Sequence, residues 1–212
     1  MQNSAENLQG VKKRYFMKKA VKTLVSLLET NRGESSLRTE KYLSAVENKA
    51  PKAVLLSCPQ AMRLLTVDRE SLYTVESYGA TVFGNEATLD YALRWQGVPL
   101  LGIMGHFGCS APERAKKCND ATDAEKALYD EIAAGLKGAP KDAEKRIFHH
   151  IDHQVAVALE RYNDLIKAGK LVVIGLYCDA RGNLFLLNYN GLKGRDALAY
   201  SLPEVDASFF LA

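Results

Sequence analysis

No stretch of this 212-residue sequence approaches the roughly 20 consecutive apolar residues that a membrane-spanning helix needs. Charge of one sign is also scarce. Lys and Arg number 28 against 25 Asp and Glu, a net charge of +3, too little for a nucleic-acid-binding surface. The lysines gather mainly near the N-terminus, and no aromatic residues interleave a basic stripe there. Neither nucleic acid nor a membrane is therefore expected as a partner. Cysteine is sparse: Cys58, Cys109, Cys118 and Cys178 form no dense disulfide framework, which favours a reducing cytoplasm. Residues 1–10 lack a charged segment followed by an apolar one, so no secretory leader is expected. Internal repeats, low-complexity tracts and interdomain linkers are missing too. With 47% hydrophobic and 25% charged residues, the expectation is one domain over residues 1–212.

What is present reads as alternating helices and strands. Residues 11–30 place Val11, Tyr15, Ala20, Val21, Leu24, Leu27 and Leu28 at helical spacing among basic residues, and a second helix is expected over 37–48. Residues 1–48 would then be a helical arm packed on the core or on a partner subunit, in preference to a membrane surface. Ala53–Ser57 is a short apolar run after Pro51, hence a buried strand, and it delivers Cys58 at its C-terminal end. A strand over 72–75 follows, then a loop over 77–85, a helix over 86–96 capped by Gly97, and a strand over 98–104. Helices are expected over 111–136 and 143–168. A strand over 171–177, a turn at Asp179–Asn183 and a returning strand over 184–188 complete the order. Strand, helix, strand, helix, strand is the pattern of an α/β fold with a mostly parallel sheet.

Ligands in such sheets bind beyond the C-terminal ends of the strands. Cys58, His106 and Cys109 all lie there, and Gly105 and Gly108 bracket His106. Neighbouring strands are about 4.8 Å apart, so residues at their ends can converge on one ion. Three protein ligands would leave a fourth position open, the arrangement of catalytic zinc. Spacing alone leaves this open beside the alternative of inert buried cysteines. His149 and His153, four apart on a helix, point away from its apolar stripe (Ile147, Ile151, Val155, Leu159) and are read as a solvated face. Gly191–Arg195 is read as a surface turn, and Cys118 and Cys178 as inert thiols.

Taken together, Lys52–Cys58, Thr88–Ala92 and Gly97–Cys109 resemble the β-class carbonic anhydrases. That family has a strand ending in Cys-x-Asp-Ser-Arg, a Ser-Leu-Glu-Tyr-Ala helix and a strand ending in Gly-His-x-x-Cys-Gly. The likeness continues through Asp152–Val155 and Gly175–Asp179 and covers about residues 20–190. It implies four parallel strands plus an antiparallel edge strand, flanked by helices. It also implies a homodimer or higher even oligomer with sites at the subunit interface. Zn2+ would be held by Cys58, His106 and Cys109, and the activity would be reversible hydration of CO2 to bicarbonate.

The departures are as informative. Where the family has Asp-Ser-Arg, this chain has Gln60-Ala61-Met62. The family's aspartate accepts a hydrogen bond from zinc-bound water and is held by the arginine. Gln60 is neutral, and Met62 can orient nothing by charge. Arg63 lies one residue late, about 100° around a helical turn. Glu76–Ala80 replaces a family motif, Arg-Asn-Ala-Gly-Asn, and Ser110 replaces a glycine. Gln60 and Arg63 are thus the candidate catalytic residues, Gln60 Oε1 standing in as acceptor. The implied function is a weak or redirected carbonic anhydrase. The alternatives are a non-catalytic paralogue that binds zinc, a small anion or a partner, and a hydrolase of another small electrophile such as COS or CS2.

Overall fold

A computed structural model describes residues 51–64, 72–117 and 121–193. The expected helices over 11–30 and 37–48, Cys118, Gly194 and Arg195 lie outside the described residues. The core is a six-stranded sheet in the order β2-β1-β3-β4-β5-β6. The strands are β1 (Ala53–Ser57), β2 (Leu72–Glu76), β3 (Leu100–His106), β4 (Val172–Cys178), β5 (Leu184–Tyr189) and β6 (Leu192–Lys193). β2, β1, β3 and β4 are parallel, and β5 runs antiparallel to β4. This is the expected α/β sheet with one addition. β5 is not the edge, because the two-residue β6 pairs outside it through Asn188↔Lys193 and Tyr189↔Leu192.

Leu56 pairs with Val75 on one side and Ile103 on the other, so the middle of the sheet is continuous Val, Leu and Ile, as a strand covered on both faces requires. The helices are α1 (Glu86–Asp90, continued as a π-helical turn Tyr91–Trp95), α2 (Ala111–Arg114), α3 (Asp123–Gly135), α4 (Ala143–Arg161) and α5 (Asn163–Lys167). α4 lays Ile147, Ile151, Val155 and Ala158 on the sheet, where they join Val54, Leu56, Leu101, Ile103 and Val173 in the main core. Glycine makes the approach close. A Cβ on Gly105 would stand 2.7 Å from Ile147 Cγ2, and one on Gly175 would stand 3.2 Å from Ile151 Cγ2.

Two expected long helices are each divided. The 111–136 stretch contains α2 and α3, and Thr122 starts α3 with a capping box, its side chain and that of Glu125 each satisfying the other's backbone N–H. The 143–168 stretch breaks at Tyr162, whose φ of −108° and ψ of 20° close α4 before α5 begins. Tyr162 is buried there beneath Arg94 and Arg161, whose guanidinium carbons stand 5.4 and 5.7 Å from its ring centroid. None of the described helices is long and apolar enough to cross a membrane.

Candidate metal centre

β1 and β3 are adjacent parallel strands, so their C-terminal ends open at the same edge of the sheet. Cys58 follows the last residue of β1. His106 is itself the last residue of β3, drawn into the strand by its pairing with Cys178 of β4, where the sequence pattern ended the strand at Met104. Gly108, at φ +69°, turns the chain back in a conformation that suits glycine and brings Cys109 round. The ligand atoms of Cys58, His106 and Cys109 lie within 4.8 Å of one another, which no other group of three His, Cys, Asp or Glu achieves among the described residues. Cys58 is 4% and His106 2% exposed.

The chemistry of these atoms suits a cation. His106 Nδ1 lies 2.8 Å from the Phe107 carbonyl oxygen. A carbonyl only accepts, so Nδ1 carries the proton and Nε2 keeps its lone pair. That Nε2 is buried with no hydrogen-bond partner. An orphaned acceptor of this kind costs free energy unless something electropositive meets it, and fixing the tautomer through the other nitrogen is how metal-ligating histidines are held. The two sulfurs respond to their crowding in opposite ways. The Cys109 thiol donates to Cys58 and, aided by the neighbouring His106 ring and by the backbone N–H groups of Gln60 and Gly79, holds the Cys58 thiol down to about 4 against the opposing effect of burial. The same contact, with burial, pushes Cys109 up. Burial works against a charged His106, but the neighbouring Cys58 sulfur and the Phe107 carbonyl raise it above its ordinary value. Two thiolates and a neutral imidazole match the donor set of zinc, with bonds of about 2.0–2.3 Å.

The surrounding residues sort clearly. Gln60 and Arg63 are exposed. Met62 is 2% exposed and packs with Leu55, Ala61, Met104 and Cys178 in a second apolar cluster. Ser110, one residue after Cys109, has its Oγ 3.5 Å from Tyr78 Oη. It lines a cleft of about 440 Å³ with Glu113, Arg114, Lys117, Ala121, Glu125 and Tyr129. Cys178 is buried with its thiol pushed up by desolvation, in keeping with an inert role.

The reading of His149 and His153 as a solvated face needs correction. Both are half-buried, because α3 packs on that side of α4. His153 Nε2 stands 3.5 Å from Glu131 Oε1, and His149 Nε2 lies 3.3 Å from the Lys137 carbonyl oxygen. Between them in sequence, His150 is wholly buried against Gly79, a contact the helical periodicity did not single out. A signal was available: His150 shares the Ile147, Ile151 and Gln154 side of the helix.

No protein-family profile and no curated protein matches this sequence. Solved structures do match. A tetrameric β-carbonic anhydrase of the filamentous ascomycete Sordaria macrospora aligns over 78% of this chain and 97% of its own, with a TM-score of 0.65 and 14% identity. The Coccomyxa β-carbonic anhydrase, solved with acetazolamide, aligns over 86% and 93% with a TM-score of 0.64 and 16% identity. The β-carbonic anhydrase CafA of Aspergillus fumigatus aligns over 84% and 95% with a TM-score of 0.56 and 16% identity. With its parallel sheet in the order β2-β1-β3-β4, its antiparallel return and its Cys-His-Cys cluster at the strand ends, the chain has the β-carbonic anhydrase fold.

Proposed function

We propose that this chain binds zinc through Cys58, His106 and Cys109 and catalyses the reversible hydration of CO2 to bicarbonate, at a rate reduced by the loss of the Asp/Arg pair. One observation carries the reading: three ligand atoms within 4.8 Å, among them a buried imidazole nitrogen with its lone pair free. Zinc with an open fourth position would supply Lewis acidity and lower the pKa of a coordinated water toward neutrality. Around it, Gln60 stands where an anionic acceptor would otherwise be. Its neutral Oε1 offers a weaker hydrogen bond than a carboxylate would. Arg63, exposed on the same short turn, lies one residue away from the position that would orient that acceptor. Loss of such supporting partners costs about 10–100-fold in activity or metal affinity.

A homodimer or larger even oligomer accompanies this reading, and the Sordaria relative is a tetramer. The free thiols of Cys58, Cys109 and Cys178 support a reducing compartment such as the cytoplasm. A second reading, a non-catalytic metal-binding relative, is favoured by the burial of Met62. That position is built into the apolar packing and leaves nothing to hold an acceptor by charge.

Metal analysis of purified protein, followed by stopped-flow measurement of CO2 hydration with a pH indicator, separates the two. One zinc per chain with turnover above buffer, both lost in Cys58→Ser, supports the enzyme. Zinc with turnover no better than buffer leaves the non-catalytic reading. Absence of stoichiometric metal refutes both.

A further inference from the structure

Ser110, Arg114 and Lys117 recur at i, i+4 and i+7. The Arg114 N–H donates to the Ser110 carbonyl and the Lys117 N–H to the Arg114 carbonyl, both at 3.0 Å, so the chain stays helical and the three share one face. Glu125 and Tyr129, four apart on α3, line the same concavity, the cleft of about 440 Å³ that begins one residue after Cys109. That volume is in the range of small-molecule sites. The charges lining it are two of each sign, but they are not equally available. Glu113 is held by Arg146 at 2.6 Å, and Glu125 Oε2 accepts from the Thr122 N–H and hydroxyl, each at 2.9 Å. Arg114 and Lys117 form no ion pair among the described residues. Their guanidinium and ammonium groups offer only donors. Tyr129, 7% exposed, gives the cleft an aromatic wall, with Tyr78 packed edge-on to it at 6.2 Å and Tyr78 Oη beside Ser110 Oγ.

We propose that this cleft binds a small organic anion, its carboxylate or phosphate held by Arg114 and Lys117 and its body laid against Tyr129. Surface cations are common without a ligand. These two differ in lining one concavity whose own carboxylates are both engaged elsewhere, so the charge left to a visitor is positive. A planar guanidinium matches the paired oxygens of either head group. The first turn of α3 does not compete for the anion, because its free N–H groups are served by the Thr122–Glu125 capping box. None of Cys58, His106 and Cys109 lines the cleft, so the site stands whether or not they hold zinc.

The test titrates the full-length protein with benzoate and with phenyl phosphate by calorimetry at low salt, and with benzamide as the uncharged comparison. Each titration is repeated after chelation, because an anion can also occupy an open position on a metal. The expected result is saturable binding of an anion that survives chelation and is absent for benzamide. Arg114→Gln should weaken it about 10-fold or more, as loss of a charged hydrogen bond implies, and Lys117→Gln should act in the same direction. Glu125→Gln keeps the capping box and removes a negative charge from the cleft, so binding should tighten. All three side chains are exposed, and the variants are expected to fold. Equal binding of benzamide, or weakening by Glu125→Gln to match Arg114→Gln, overturns recognition by charge. Binding abolished by the chelator places the anion on the metal and overturns the cleft. No binding of either anion at millimolar concentration overturns the proposal while leaving the metal reading untouched.

Discussion

Replacing Gly105 by alanine tests how the sheet and α4 jointly hold the candidate metal ligands. A Cβ there would stand 2.7 Å from Ile147 Cγ2, 2.9 Å from Ile151 Cγ1 and 3.3 Å from Ile151 Cδ1. The obstructing atoms belong to β-branched side chains, whose χ1 angles are nearly fixed in a helix. They cannot swing aside, so α4 must lift from the sheet or the end of β3 must bend. Overpacking of this kind costs about 1–3 kcal/mol, and the reduced freedom of the unfolded chain returns about 0.4–1 kcal/mol. The net expectation is a loss of about 1–2 kcal/mol, or about 2–8 °C in Tm for a chain of this size. Urea denaturation followed by circular dichroism measures it. Ile147→Ala alone should cost about 2–5 kcal/mol. In the double variant the new methyl enters the space left by the isoleucine, so its cost should fall at least about 0.5 kcal/mol below the sum. A neutral Gly105→Ala, or strict additivity in the pair, would falsify the close-approach argument.

Three further outcomes are expected. Chelation of the bound metal should lower Tm, since a ligand bound only by the folded state stabilises it by mass action; equal melting with and without chelator would count against the site. Burial keeps His150 below its ordinary value of 6.5, with the charges of His153 and His149 also lowering it and the Gly79 carbonyl and Glu131 opposing. The unfolded chain therefore takes up a proton that the folded chain refuses. Stability is full above pH about 6.5 and declines as pH falls through it. Urea midpoints at pH 7.5 and 5.5 should differ less in His150→Gln, and an unchanged difference would remove His150 from the account. Finally, Met62→Arg combined with Gln60→Asp should raise CO2 hydration if the missing pair limits turnover. Met62→Arg alone should cost at least about 2 kcal/mol, because position 62 is closed to water. No gain in hydration from a folded double variant would mean that the pocket differs in more than these two residues.

The sheet was largely legible because its strands are short apolar runs bounded by turn residues. β1 was read at its observed limits, and β2, β4 and β5 within one residue. The C-terminal end of β3 lies beyond the expected Met104 because Gly105 looks like a strand terminator, yet pairing with Tyr177 keeps it in the ladder. Helix interruptions were harder to see. The break at Tyr162 depends on a buried ring gripped by two arginines from different helices, which is a tertiary event. Cys58, His106 and Cys109 could be grouped from their positions at strand ends, but spacing could not establish that Nδ1 of His106 is occupied by a carbonyl. The role of His150 is hidden in the sequence for a related reason. A histidine beside an apolar stripe gives no sign that its target is a carbonyl seventy-one residues away.

The three ligands come from the ends of β1 and β3 and the turn beyond, on strands that neighbour each other in space but not in the chain. No local segment offers the ion more than His106 and Cys109. Capture of a cation there would therefore have to wait until a long-range parallel pairing is complete, a slow class of contact. In a zinc finger the ion assembles the domain around itself. Here the order would be reversed: the architecture would come first, and occupancy of the centre would be a late certificate that β1 has found β3.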